Sequence, residues 1–282
     1  MKIGAIIQAR VSSTRLPKKV LLNLPYESEI TVLQQVIRRV FKSNKISDVV
    51  VATTTDYDDN VIVEYAEKEN AKWFRGSKED LLSRYYLAAK ENKLDVIVRI
   101  TSDCPCIDWE IIDLVIEHHI SEKSDYTSNT LKRTFPHGLD VEVLSFESLE
   151  KAYINAKESF EREHVCPYIY TTHKDEFKVC SVESSQHLSG DDIRITLDTE
   201  EDYALLCAVY DYLFFHNEYF KAIDIIKLFK QKPWLKLINK KVVQKKTFTN
   251  LNDEISEAIK VLKLQDLYNS ANMLENIIKK EQ

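Results

Sequence analysis

Three stretches of the chain, residues 2–8 (KIGAIIQ), 48–54 (DVVVATT) and 95–101 (DVIVRIT), are near-continuous apolar, largely β-branched runs. Runs of that kind read as strands buried on both faces. "KWFRG", at 72–76, reads as a shorter strand. Between them apolar residues recur at helical spacing. Over 30–44 the stripe is Val32, Leu33, Val36, Ile37 and Val40, and helices are expected over 58–70 and 78–92 as well. Asp56, Asp58 and Asp59 stand where acids suit a helix start. Strand and helix therefore alternate, which predicts an α/β fold: a mostly parallel central sheet flanked by helices. In such sheets ligands bind beyond the carboxyl ends of the strands. The loop after the first strand, "SDCP" at 102–105 and Gly76 all fall on that edge.

After residue 124 the pattern changes. "SDYTSN", "GLDVEVLS", 177–183 (FKVCSVE) and 193–198 (IRITLD) read as strands, with helices over 146–157, 161–172, 200–215 and 219–230. Residues 252–280 read as a Lys- and Glu-rich helical tail. Its apolar residues Ile255, Ile259, Leu262, Leu267, Ala271, Leu274 and Ile278 approximate a helical stripe with one slip. Packing of the tail on its own domain is the first reading, and a part in dimer formation the second. The expected organisation is one domain over 1–245, with a segment near 125–190 for a second substrate or for dimerisation, and a helical extension over 246–282.

Composition narrows the function. The net charge of −6 argues against general affinity for nucleic acid or membrane. Yet Arg10, Arg15, Lys18 and Lys19 crowd one loop, which points to a small anionic ligand. No secretory signal or membrane-length apolar run is visible, so a cytoplasmic protein is expected. Cys104, Cys106, Cys166, Cys180 and Cys207 are scattered and odd in number, which favours reduced thiols over a disulfide framework. With glycine only at 4, 76, 138 and 190, neither GxGxxG nor the Walker pattern is present.

The basic loop could be a solvated surface turn. Pro17 and the flanking Leu16, Val20 and Leu21 favour a constrained loop instead, and Arg10 directly follows a strand. Arginine offers bidentate contacts to phosphate, lysine a point charge, and Ser12, Ser13 and Thr14 add donors. Asp103 follows an apolar strand, where a carboxylate beside a polyphosphate suits Mg²⁺, although a turn-forming Asp before Cys104 and Pro105 reads the same way. Asp198 has that geometry too, ahead of a helix start at Thr199, Glu200, Glu201 and Asp202. Asp140 and Glu142 alternate with Val141 and Val143, so they share a strand face. With His137, Gly138, Glu161, Arg162, Glu163 and His164 they form either salt bridges or a polar pocket for a hydroxylated substrate. "DYDDN", 56–60, contains the D-x-D pattern of many glycosyltransferases but reads better as an acidic helix start.

Taken together, "QARVSSTRLPKKVL", "FRGSKEDLLSRY", "RITSDCPCID", "FPHGLDVEVLS", "EREHVCPYIY" and "RITLDTEEDY" resemble, in order, the cytidylyltransferases that activate sugar acids. The likeness is to the spore-coat polysaccharide biosynthesis protein F group and to the enzymes for 3-deoxy-manno-octulosonate (Kdo) and acylneuraminate. The Kdo enzymes carry a near-identical loop, A-R-x-x-S-T-R-L-P-x-K. The resemblance runs from residue 1 to about 245. It implies a Rossmann-like, nucleotide-diphospho-sugar transferase (GT-A-like) fold with a small β-rich insertion for acceptor binding or dimerisation. It implies that Arg10, Ser13, Arg15 and Lys19 hold a triphosphate, with further nucleotide contacts from Ala9, Ser12, Thr14 and Arg84, and with Gly76 near base and ribose. Asp103 and Asp198 would bind Mg²⁺. His137, Asp140, Glu142, Glu163 and His164 would line the acceptor pocket. The family often has Gly where this chain has Ser12 and Lys18, changes that stiffen the loop and add a charge.

The implied reaction is transfer of CMP from CTP, or of the nucleotide of another NTP, to a sugar acid, with release of pyrophosphate, for surface polysaccharide or glycan synthesis. Arg10, Arg15, Lys19 and Asp103 would be the catalytic set, and a homodimer is expected. Two alternatives keep the fold: a glycosyltransferase using a nucleotide-sugar through Asp56 and Asp58, and a non-catalytic nucleotide-binding homologue.

Overall fold

The structure, a computed structural model, describes residues 1–242 and 251–281. It forms two compact units, residues 1–239 and 240–282. The expected boundary at 245 lies within 243–250, outside the described residues.

In the larger unit β1 (Ile3–Gln8) is flanked on one side by β2 (Asp48–Thr54) and β3 (Lys72–Gly76), and on the other by β4 (Val96–Thr101). These four strands are parallel. Beyond β4 come β6 (Glu142–Ser145), antiparallel to it, then β5 (Tyr126–Ser128) and β7 (Val179–Ser181), giving the order β3-β2-β1-β4-β6-β5-β7. The 125–190 segment thus extends the central sheet. The residues of β1 divide by parity. Ala5 and Ile7 enter one core with α1 (Val32–Val40), α2 (Asn60–Lys68), α4 (Trp109–Glu122), α7 (Glu200–Leu213) and α8 (Ala222–Gln231). Ile6 faces the other core, built on α3 (Leu81–Glu91), α5 (Phe146–Asn155) and the segment after α6 (Ser159–His164). Burial on both faces is why β1, β2 and β4 read as near-continuous apolar runs.

Three expectations on secondary structure are corrected. Residues 193–198 are extended but are not a sheet strand. They pair with loops, through a single bridge between His137 and Arg194 and a hydrogen bond from Leu197 N to Asp103 O at 2.8 Å. The helix expected over 161–172 stops at His164. Val165 takes φ 73°, Pro167 disfavours a continuous helix, and only a short helical turn follows over 168–172. The tail is two helices, α9 (Leu251–Leu264) and α10 (Tyr268–Glu281), packed on each other, with Asp266 at φ 61° between them. The slip in its apolar stripe is that turn.

Candidate active site

The basic loop leaves the carboxyl end of β1 and is tied down from both sides. Ala9 N donates to Ala52 O at 3.1 Å, Val11 N to Asp59 Oδ1 at 2.7 Å, and Lys18 N to Val11 O at 3.2 Å. Thr54 Oγ1 donates to the other oxygen of Asp59. Leu16 and Val20 are buried in the core, so the loop is anchored as its apolar residues foretold. Arg10, Ser12, Thr14 and Arg15 are exposed, and Ser13 is half-buried. Lys18 adopts the left-handed conformation, φ 56° and ψ 24°. Glycine meets that requirement without strain, which accounts physically for a Gly preference at this position.

Lys19 ends the loop between the two carboxylates. Its Nζ donates to Asp103 Oδ2 at 2.9 Å, to Asp198 Oδ1 at 2.9 Å and to Leu197 O at 2.7 Å. Arg15 Nη2 lies 2.9 Å from Asp198 Oδ1. Asp103 lies two residues beyond the end of β4, and Asp198 ends the extended 193–198 segment, before the Thr199 cap of α7. Burial by itself would raise the Asp198 carboxyl. Lys19, Arg15 and Arg194 outweigh it and hold the pKa at about 2. Asp103 is likewise lowered, burial and the neighbouring Asp198 charge being overcome by Lys19 and a hydrogen bond from Thr101. Both stay ionised at neutral pH. Burial would lower Lys19, but the two carboxylates raise its pKa and keep it an ammonium.

From Asp198 the polar chain continues. Arg194 Nη2 donates to Asp198 Oδ2 at 2.8 Å and to Asp202 Oδ2 at 2.9 Å, and Nη1 donates to His137 Nδ1 at 3.1 Å. That bond makes His137 Nδ1 an acceptor, and burial lowers the pKa of the ring, so the imidazole is neutral with its proton on Nε2. Asp140 Oδ2 lies 3.8 Å from His137 Nε2, and Arg133 holds both Asp140 oxygens at 2.8 and 3.0 Å. Gly138, between them, has φ 113°, and a Cβ there would stand 2.7 Å from Ile195 C and O. The loop can pass the 193–198 segment only without a side chain at this point.

The structure therefore joins Arg15, Lys19, Asp103, Asp198, His137 and Asp140 into one cluster. It does not bring Glu142 there. Asp140 precedes β6, and Glu142 turns to the other face of the sheet, where Arg99 and Tyr126 hold it, Tyr126 OH at 2.9 Å. Glu163 is exposed on α6 and His164 half-buried at its end. Glu161 caps α6 and accepts from Thr172, while Arg162 pairs with Asp80 at 2.6 Å. Of the D-x-D acids, Asp56 pairs with Lys78 at 2.6 Å and Asp58 is exposed, and among the described residues they belong to no group that could hold a metal ion. Gly76 closes β3 against Arg84, which is buried on α3. Arg194, Arg133 and the anchor Asp59 were not foreseen in these roles. The alternation Arg194, Thr196, Asp198 was the available signal for the first.

Hard oxygen donors held ionised at a strand edge fit Mg²⁺, which takes one or two carboxylates and completes its shell with phosphate and water. Among the described residues no group of three or more metal-ligating side chains occurs, so the remaining ligands would come from nucleotide and solvent. Among the same residues no helix is long and apolar enough to cross a membrane.

A model of the family described as "Cytidylyltransferase" matches residues 4–232. An uncharacterized protein of Methanocaldococcus jannaschii is 41% identical, over 87% of this chain and 97% of its own. Spore coat polysaccharide biosynthesis protein SpsF of Bacillus subtilis is 34% identical, over 73% of this chain and 85% of its own. The structure is similar to that of a cytidylyltransferase from Leptospira borgpetersenii, with a TM-score of 0.77 and 34% identity, covering 89% of this chain and 100% of that one. The family match spans the anchored loop and both carboxylates that it meets, and on that ground the chain belongs to the cytidylyltransferase family.

Proposed function

We propose that the protein transfers CMP from CTP to a hydroxyl of a sugar acid of the Kdo or nonulosonic kind, releasing pyrophosphate. The observation that carries this reading is the meeting of a basic loop with two ionised carboxylates, Asp103 and Asp198, at the carboxyl edge of the sheet. The acceptor oxygen forms a bond to the α-phosphorus, the bond from that phosphorus to the bridging oxygen breaks, and pyrophosphate leaves with the electron pair. The hydroxyl proton passes to solvent. The protein forms no covalent intermediate and works by positioning and charge stabilisation.

Arg10, Arg15 and Lys19 would neutralise the charge that builds on pyrophosphate, with Ser12, Ser13 and Thr14 supplying further donors. Asp103 and Asp198 would hold Mg²⁺, which when bound polarises the α-phosphate and acidifies the attacking hydroxyl. His137, neutral and oriented by Arg194, and Asp140, fixed by Arg133, present polar groups to an acceptor beside that pair. The test is pyrophosphate release from CTP with a panel of sugar acids, with the CMP-sugar product identified by mass. Transfer of a whole sugar from a nucleotide-sugar, with no pyrophosphate, would refute the reading.

A further inference from the structure

Asp59 stands at the N-cap of α2, yet its side chain makes no cap hydrogen bond. Asp80 and Asp108 hold the same place on α3 and α4. Each accepts from the first turn of its own helix, from Ser83 N and Glu110 N at 2.9 Å. Such a cap stabilises the helix that carries it, and Asp59 forgoes it. Both of its oxygens are turned to other segments. Oδ1 accepts from Val11 N at 2.7 Å, across 48 residues of sequence, and Oδ2 accepts from Thr54 Oγ1 at the end of β2. Asp59 is 2% exposed and Thr54 is fully buried. Thr54 Oγ1 in turn accepts from Asp56 N at 3.1 Å, so the carboxylate is braced from behind.

The bond lands where the basic loop closes. Val11 N belongs to the peptide that joins it to Arg10. Val11 O receives Lys18 N at 3.2 Å, the bond that shuts residues 11–18 into a loop. Holding Val11 therefore fixes both the exit of the chain from β1 and the closure of the loop. Val11 is buried, while Arg10 and Ser12 on either side of it are exposed. No core packs around those two side chains, so the backbone sets where they start. A backbone N–H bound to a carboxylate makes a stronger hydrogen bond than one bound to a neutral acceptor. A negative charge near a phosphate-binding loop would by itself repel the ligand, so the acid is there for geometry.

We infer that Asp59 is a positioning residue for the reaction, holding the Arg10–Val11 peptide so that the basic loop presents its donors to the nucleotide phosphates already in place. It touches no substrate and acts through the loop backbone. The inference rests on the nucleotidyltransferase reading. It gives the acid that follows the D-x-D pattern a task at the phosphate loop, not at a metal.

CTP with Mg²⁺, titrated by calorimetry into wild type, Asp59→Ala, Asp59→Asn and Thr54→Val below the melting range of each, tests it. Amide hydrogen exchange over residues 9–19, without nucleotide, accompanies the titrations. Asp59→Ala should weaken CTP at least about tenfold, because an unanchored loop must be ordered on binding and small misplacements are costly. It should also speed exchange across the loop. Asp59→Asn keeps an acceptor for Val11 N and should bind CTP within about threefold of wild type, with the loop still protected. Thr54→Val removes the brace and not the anchor. It should fall between the two, and it carries the test if Asp59→Ala does not fold. A purely structural role would lower the melting temperature of Asp59→Ala and leave its CTP affinity unchanged, which would overturn the inference. Asp59→Asn binding as weakly as Asp59→Ala would overturn it too, because charge rather than anchorage would then decide. Either result, with wild type binding CTP, leaves the cytidylyltransferase reading intact. Wild type that takes no CTP would count against both.

Discussion

Asp103 and Asp198 are bound to one ammonium, with Lys19 Nζ 2.9 Å from a carboxylate oxygen of each. The lysine neutralises the pair that a metal ion would otherwise have to neutralise. Removing it as Lys19→Met leaves two ionised carboxylates facing each other, Asp103 having lost its ion-pair partner. Breaking a buried pair in this way costs about 3 kcal/mol. Urea unfolding should show that loss, and Mg²⁺ should raise the melting temperature of the variant more than that of wild type. Equal Mg²⁺ shifts in the two proteins would remove the carboxylate pair as the metal site.

Asp103→Asn addresses turnover. It keeps the shape and a partner for Lys19 while removing the charge. Turnover should fall on the order of a thousandfold, given the several kcal/mol that metal-assisted charge stabilisation supplies, with only a modest drop in melting temperature. A variant that kept most of its activity would refute the metal-ligand role.

Stability should depend on acid through Asp198. Its carboxyl titrates at about 2 in the fold, against roughly 3.9 in an unfolded chain. A depressed folded pKa stabilises above the unfolded value, and that stabilisation disappears as pH falls from about 4 towards about 2. The difference is worth roughly 2–3 kcal/mol. Denaturant unfolding of wild type and Asp198→Asn across this range should show a steeper loss in wild type, and parallel curves would contradict the assignment.

Glu142 behaves as a structural acid. Buried Arg99 depends on it, and Tyr126 OH donates to it at 2.9 Å. Glu142→Gln should cost about 3 kcal/mol by leaving Arg99 uncompensated. Wild-type stability combined with lost acceptor affinity would instead restore a direct contact with substrate.

Gly138→Ala should be worse tolerated than its size implies. The φ of 113° disfavours any side chain, and the added carbon would press on the backbone of Ile195 at 2.7 Å. A loss of at least about 2 kcal/mol in unfolding free energy is expected, with reduced turnover because Ile195 adjoins Arg194. A neutral substitution would show that this loop is not locked to the 193–198 segment.

The parallel half of the fold was legible because β1, β2 and β4 are covered on both faces, so their runs are almost wholly apolar, with Arg99 in β4 neutralised by Glu142. The 193–198 segment misled because its alternation is real, with Ile193, Ile195 and Leu197 buried, while its hydrogen-bond partners are loops rather than a strand. No local pattern distinguishes those cases. At the site, Asp103 and Asp198 could be found because each follows an extended apolar run. Glu142 was misplaced because strand parity gives a face but not the partner, here Arg99, that waits on it. Lys19 was expected on phosphate alone. Its bridging position depends on two loops distant in sequence, which spacing does not show. Lys18 shows the reverse case: a departure from glycine visible in the sequence coincides with the left-handed residue that closes the loop.

The most direct test of the account is a thermal-shift titration with CTP, UTP, GTP and ATP, each with and without Mg²⁺, since a ligand that binds only the native state raises its stability. The account predicts a selective rise with CTP and Mg²⁺ together. A response confined to another nucleotide, or none to any, would contradict it.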